Sequence, residues 1–556
     1  MRHTNKFLLL TLGATCLFGL SSCRFVIDGG GSDVGSLTFG DAKNDYQYLD
    51  SSYRKDIDLL GTPLTGKPTP EDTSILTSIQ YPNSYVNLET YHEMNNQKFA
   101  PSTGNTKLLV VPLIFDASNV YPGYYTKEYT EDIQSILNDA FFAEEYTQDG
   151  YDSLASYYRK SSYGALNISG EVAEPYYLNC KVDDMLNSSN DVNQIITNYV
   201  YDLMNKINND YKNRISDFDS NNDGKIDGIW FIYNVADYQT IETMHPNMNI
   251  EDPAQTMLWA FTSSIAKDAV IPVFGWASYS FIGKGDELTD THTIIHETGH
   301  ILGLDDYYDY DASASHYNSP VGGTDMMDSN ILDHNAYSKF QLGWIDPKYV
   351  TGEGEITIRP FHSSGDAIVV PSSNGFSGSA FDEYLILSYY QPLGLNQRDA
   401  INGYDGIDGL TQNGLQVYYV DSRLGTVHKN NTNYYNRYVD AYDLTIDDVR
   451  GDTAYQIIAS NTPSYSYAHT LPSNLIEAIS SDYQKGFAPY SKGQSLSIIG
   501  RIPQYKDSDL FTIGESFMNV NGRGRQEVFH DGNIKYDFEV TKMTEDGITI
   551  KFSFVN

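Results

Sequence analysis

Cysteine is nearly absent from this chain, with three residues in 556. Cys16 falls inside an N-terminal apolar stretch and Cys23 just after it, which leaves Cys180 alone in the body of the protein. One thiol makes no internal disulfide, so stability has to come from a packed core and from any metal the chain binds. Cys180 follows the strand-like run Tyr176-Tyr177-Leu178 and is expected to pack as a small apolar residue rather than to ligate metal. Positive charge is also scarce. Lys and Arg number 36 against 73 Asp and Glu, a formal net charge of −37, and so acidic a chain lacks the clustered cations that bind nucleic-acid phosphates. Such a surface keeps a secreted protein soluble and can hold calcium, although a merely solvated acidic face is the default. Tryptophan is rare, 4 residues against 46 tyrosines, a balance that suits half-buried strands and wet, hydrogen-bonding surfaces. No repeat of fixed period is present.

With 40% hydrophobic and 20% charged residues, the composition is that of a folded globular protein. The length predicts two to four domains rather than a single core. The N-terminus reads as a targeting segment. Arg2 and Lys6 precede an apolar stretch over residues 7–20 that is short for a membrane span. It ends in Leu20-Ser21-Ser22-Cys23, which resembles a bacterial lipobox. Residues 1–22 are therefore expected to be removed and Cys23 to carry lipid, holding the protein on the outer face of a bacterial membrane. Two or more acyl chains anchor stably where one is marginal. A glycine-rich stretch begins at Asp28-Gly29-Gly30-Gly31, and residues 23–104 are expected to be a flexible tether and leader.

From 107 to 115 the chain runs Lys-Leu-Leu-Val-Val-Pro-Leu-Ile-Phe, the continuous apolar pattern of a buried strand, and a second such run spans 229–233. Helical patterns cover 131–144, 153–160 and 192–204. The alternation predicts an α/β layer for residues 105–350. Beyond 350, short strand-like segments at 356–358, 384–387, 415–419 and 547–554 are separated by Gly, Asn, Asp and Ser. Residues 351–556 are accordingly expected to form one or two all-β, sandwich-like domains.

The stretch from Thr293 to Asp306 carries the chemistry: Thr-Ile-Ile-His-Glu-Thr-Gly-His-Ile-Leu-Gly-Leu-Asp-Asp. On a helix, Ile294, Ile295, Ile301 and Leu302 share an arc of about 120°, and His296 and His300 lie opposite. Two imidazoles one turn apart can bind a single Zn²⁺, with Glu297 beside them to act on a water molecule. Gly303 can end the helix in the left-handed conformation, so that a third ligand comes from just beyond it. His-Glu-x-x-His arises by chance in roughly one chain of this length in a hundred, and the added Gly and tenth-position acid lower that by about two orders of magnitude.

His296-Glu297-x-x-His300-x-x-Gly303-x-x-Asp306, followed by Tyr307-Tyr308-Asp309, resembles the immune inhibitor A family of metzincin-type metallopeptidases. The resemblance implies a zinc peptidase domain over residues 105–350, with Asp306 as third zinc ligand. Where the family usually has Pro before that Asp, this chain has Asp305, so two carboxylates compete for the role. Gly322-Gly323-Thr324-Asp325-Met326-Met327-Asp328 is similar to the family's methionine turn, with Met327 rather than Met326 beneath the ligands. The segments 157–164 and 333–345 also look like the family's. The implied activity is zinc-dependent endopeptidase action on extracellular proteins or peptides by a monomer, with Glu297 shuttling the proton of the attacking water. In some metzincins a Tyr two residues past the turn methionine assists; here Ser329 stands there, and His334 and Tyr337 are the available substitutes. A surface adhesin with a catalytically weak zinc domain is the competing expectation.

A second metal candidate is the loop from 217 to 228. Counted from Asp219, the residues Asp219, Asn221, Asp223, Gly224 and Asp227 match positions one, three, five, six and nine of a calcium loop. Its twelfth position is Trp230 and a strand follows, so the loop is calcium-type without being an EF-hand, and Asp217 is available as an extra carboxylate. The competing reading is a plain Asp/Asn turn.

Overall fold

The computed structural model describes residues 67–81, 86–116, 128–144, 151–181, 199–244, 257–282, 289–308, 320–404, 407–428, 438–439, 453–457, 459–461, 474–481, 504–517, 529 and 532–555. The signal segment, Cys23, the glycine-rich tether and Asp309 lie outside these residues. The fold is mixed α and β, with several sheets and few helices. In chain order its strands and helices begin with β1 (Leu76–Ser78), α1 (Leu88–Met94), β2 (Gly104–Asp116), α2 (Glu128–Phe142) and α3 (Leu154–Ser161). Next come β3 (Leu166–Val172), β4 (Tyr176–Lys181), α4 (Tyr201–Tyr211), β5 (Gly228–Tyr233), α5 (Tyr238–Met244), β6 (Phe261–Ser264) and β7 (Val273–Ser278). The site-bearing elements follow as α6 (His292–Ile301), α7 (Met326–Ser329) and α8 (Ala336–Gln341).

The first sheet has the order β3-β2-β5-β7-β6, with β4 also paired to β2. All its pairings are parallel except that of the edge strand β6 with β7. β2 and β5 are apolar throughout because both faces are covered. Leu108, Val110, Trp230 and Ile232 join a core with α2, α3 and α6, while Leu109, Val111, Phe231 and Tyr233 join another with α4. The expected α/β layer is present. α2 and α3 fall close to the expected helices, but the third helix runs to Tyr211 rather than stopping at residue 204. Its buried stripe is Leu203, Met204, Ile207 and Tyr211, and the intervening Asn205, Asn208 and Asn209 weaken the pattern a reader follows.

The second half adds β8 (Lys348–Val350), β9 (Gly354–Ile358), α9 (Phe361–Ser364), β10 (Ala367–Pro371), β11 (Glu383–Tyr390), α10 (Asn396–Asn402) and β12 (Gly414–Asp421). It closes with β13 (Leu424–His428), β14 (Tyr438–Val439), β15 (Thr453–Ile457), β16 (Ile476–Ala478), β17 (Tyr536–Thr544) and β18 (Gly547–Phe554). A six-stranded sheet runs β1-β8-β10-β11-β12-β16, and a three-stranded sheet runs β17-β18-β9. Leu385, Leu387, Val417 and Tyr419 share a core with Phe538, Val540 and Ile550 of the three-stranded sheet, while α9 and α10 make this half mixed rather than all-β as expected. The opposite face of the six-stranded sheet is buried too. Tyr384, Ile386, Tyr418 and Val420 belong to the same core as α6, α7 and α8, so hydrophobic packing runs unbroken past residue 350.

Residues 76–81 and 86–100, expected within the flexible leader, are instead packed. Leu76, Ile79, Val86, Leu88 and Met94 are buried, β1 pairs antiparallel with β8, and Asn87 and Thr90 close a capping box on α1. The apolar residues here are too widely spaced for periodicity to reveal them. Among the described residues, no helix is long and apolar enough to cross a membrane.

Candidate metal centre

α6 lies against β6 and β7 with Ile294, Ile295, Ile301 and Leu302 wholly or almost wholly buried, as their shared arc requires. Hydrogen bonds hold it from several sides. The Tyr158 hydroxyl donates to Ile295 O at 2.6 Å, Trp230 Nε1 to Thr298 Oγ1 at 3.2 Å, and Thr262 Oγ1 of the edge strand to Glu297 O at 2.8 Å. At its end, Gly303 adopts φ +100°, a conformation that disfavours any side chain. His92 of α1 seals this turn, its Nε2 lying 2.9 Å from Gly303 O. Burial pulls the His92 ring down to about 4, so it is neutral and its Nε2–H donates to the carbonyl.

The turn returns the chain so that Asp306, 5% exposed, faces both histidines. Asp306 Oδ1 is 3.0 Å from His296 Nε2 and 3.1 Å from His300 Nε2. The other ring nitrogens are engaged elsewhere: His296 Nδ1 lies 2.7 Å from Met326 O, and His300 Nδ1 lies 2.7 Å from Leu304 O. A carbonyl only accepts, so each Nδ1 carries a hydrogen, and Nε2 is the ring atom left to face Asp306 and to bind a metal once any proton between them is displaced. Neither buried Nε2 has a hydrogen-bond partner. Tetrahedral zinc, with bonds of about 2.0–2.1 Å, separates its ligand atoms by about 3.3 Å, within a few tenths of an ångström of both distances from Asp306 to the histidines. Among the described residues, the trio is the sole group of three or more such side chains with ligand atoms within 4.8 Å of one another.

The electrostatics agree. Burial disfavours charge on Asp306, yet the two imidazoles hold its carboxyl well below the usual carboxylate range. Burial likewise opposes charge on His300, but Asp306 beside it pushes the ring up to about 10. The trio thus holds a proton that an incoming metal ion must displace. Glu297 is fully buried next to it. Burial raises its carboxyl, with Asp306 adding to the rise and the two imidazoles drawing it back.

Below the trio, α7 supplies the methionines. A Cβ built on Gly299, the residue before His300, would overlap Met327 Sδ, so the absence of a side chain there lets Met327 lie directly against the helix. Met326 contributes its carbonyl to His296 instead. Asp325 caps α7 by accepting from Met327 N at 2.7 Å and also accepts from Asn335 N at 2.6 Å. Buttresses from the second half reach this wall: Tyr505 N donates to Gly322 O at 2.8 Å, and Asn461 Nδ2 to Tyr307 O at 2.7 Å. Those supports, like His92 and Thr262, escaped sequence reasoning because they come from segments remote in the chain.

Other expected residues are placed elsewhere. Asp305 is exposed and Asp306 is buried, which separates the two carboxylates. His334 is 1% exposed among Tyr157, Tyr158 and Trp344, and Tyr337 is buried near Tyr307. Both are core residues with no described contact to the trio. In the calcium-type loop, Asp219 accepts from Asp223 N at 3.0 Å and Gly224 N at 2.8 Å, and Asn221 accepts from Asp223 N at 3.2 Å. Asp227 accepts from Lys107 N and Ser220 N, while Asp217 pairs with Arg214 at 2.9 Å. The structure therefore gathers Asp219, Asn221 and Asp223 around one turn, ties Asp227 to that turn through Ser220 N, and pairs Asp217 with Arg214.

No family model and no curated protein matches this chain; what the centre does is read from its own residues.

Proposed function

We propose that this chain is a metzincin-type zinc endopeptidase held by a lipid at Cys23 on the outside of a bacterial cell. The observation that carries the reading is the meeting of His296 Nε2, His300 Nε2 and Asp306 Oδ1 beside the buried carboxyl of Glu297. Zinc bound there would polarise a peptide carbonyl and acidify water. The chain's own residues supply the rest. The carbonyls of Met326 and Leu304 fix both imidazoles in the ligating tautomer. Glu297, with a raised carboxyl, suits accepting a proton from water and delivering it to the leaving amine. The edge strand β6 lies beside Glu297, and an extended peptide added along its outer side would pass the trio.

A binding-only adhesin has no use for a buried acid next to its metal ligands, which favours hydrolysis. The test is casein cleavage by the purified chain with and without a zinc chelator, alongside Glu297→Gln. The variant should keep one zinc per chain and lose at least roughly 100-fold in rate. A zinc-loaded wild type that leaves casein and gelatin intact would favour the adhesin. For the anchor, Cys23→Ala should release the protein to the medium or stall it as precursor; membrane retention with a normally processed N-terminus would refute lipidation.

A further inference from the structure

His292 opens α6 one turn before His296 and is 4% exposed. Both of its ring nitrogens face carboxylates, Nδ1 at 2.6 Å from Asp290 Oδ1 and Nε2 at 3.1 Å from Asp399 Oδ1. A neutral imidazole has one donor and one acceptor nitrogen, so only the doubly protonated ring satisfies both contacts. The ring stacks on Tyr404, with centroids 3.8 Å apart, and lies 4.2 Å from Tyr151; aromatic faces favour a cation. The helix itself does not, since its N-terminal dipole repels positive charge. The other groups facing this pocket are Arg398, 4.4 Å over the Tyr151 ring, and Asp152, which is paired with Lys160. Burial opposes the charge on His292, but Asp290 and Asp399 outweigh it and push the ring up to about 9.

Asp399 belongs to α10 and lies 107 positions beyond His292. Its second oxygen accepts from Leu332 N at 2.5 Å, in the segment just past the methionines. That segment is strained: Asn330 has φ +56° and Leu332 has φ +69°, conformations that side chains enter only when their surroundings impose them. One buried carboxylate thus grips both the helix that carries His296, Glu297 and His300 and the loop that follows Met327.

We propose that His292 and Asp399 are positioning residues, an ion pair that sets the histidine-bearing helix over the methionine turn and so fixes the spacing of the metal ligands. This role rests on the metal-centre reading above. The pair holds while His292 is protonated. Its contribution is complete below the ring's ordinary pKa of about 6.5 and is lost as pH rises through about 9.

The test is zinc affinity, measured by chelator competition on the full chain at about pH 7.5 and about pH 10, for wild type, Asp399→Asn and Asp290→Asn. At the lower pH, Asp399→Asn should bind zinc roughly tenfold more weakly. At the higher pH the wild type has lost its own clamp, and the gap should close. Asp290→Asn leaves the Leu332 contact intact, so it keeps the proposal testable if Asp399→Asn does not fold; it should show a smaller gap that closes in the same way. Histidine-selective NMR should place the His292 midpoint near 9 in the wild type and below about 8 in either variant. A gap that is absent at the lower pH, or equally wide at both, overturns the positioning role while the peptidase reading stands. A wild type that binds no zinc overturns the metal centre, and this role with it. A closing gap in a chain that cleaves no peptide supports the positioning role and counts against hydrolysis alone.

Discussion

Replacing Gly299 by alanine sets two effects of opposite sign against each other. Alanine is the better helix residue by about 0.8–1.0 kcal/mol. Against that, the new Cβ would overlap Met327 Sδ, lie 3.1 Å from Met327 Cε and stand 3.5 Å from the Tyr158 hydroxyl, where ordinary carbon contacts begin at about 3.5–4.0 Å. A thioether at the surface would simply swing aside. Met327 is fully buried in the largest core cluster, so its displacement is passed on to neighbours. Overpacking of this kind costs about 1–3 kcal/mol, and direct overlap with sulfur argues for the upper half of that range. The clash therefore wins, leaving a net loss of about 1–2 kcal/mol. Urea unfolding of the metal-free chain should show it as a lower midpoint at unchanged slope. The decisive comparison is a double-mutant cycle. In a Met327→Ala background the obstacle is gone, and Gly299→Ala should now stabilise by about 1 kcal/mol. If the substitution stabilises the wild type, or costs the same in both backgrounds, Met327 does not bear on the helix between the histidines.

Asp306→Ala should be purified with little zinc and negligible peptidase activity, whereas Asp305→Ala, altering an exposed side chain, should keep near-stoichiometric zinc and a measurable rate; metal analysis after circular dichroism has confirmed folding decides between them. Calcium should raise the melting temperature of the wild type through the turn formed by Asp219, Asn221 and Asp223. Little or no shift is expected once Asp219→Ala and Asp223→Ala are combined, and an equal shift in that variant would refute calcium binding at the loop.

The cluster of His296, His300 and Asp306 was legible because its geometry is local. His296 and His300 share a helix face, and Gly303 reverses the chain within three residues to deliver Asp306, so spacing alone encodes the centre. The choice between Asp305 and Asp306 was half legible, since the motif's spacing named one of two neighbours and only the turn's geometry buried it. The supports were not legible at all. His92 reaches Gly303 from 211 positions upstream, and Asp399 reaches His292 from 107 positions downstream. No periodicity links such pairs. Beyond residue 350, Gly, Asn and Ser breaks disclosed the strands, but Tyr384 and Ile386 on the other face of β11 could not announce that α6, α7 and α8 would cover them.

The pairing of β1 with β8 has a consequence for the order in which the molecule is made. Thr77 and Thr351, joined through their hydroxyls, are 274 positions apart. At about 5–20 residues per second on the ribosome, β1 waits roughly 15–55 seconds for its partner to emerge. Every strand of the first sheet, ending at Ser278, is synthesised within that interval and can fold before the partner appears. Asp399, Asn461 and Tyr505, which brace the helix and turn around the ligands, arrive later still. The His296, His300 and Asp306 cluster is thus synthesised before the segments that brace it.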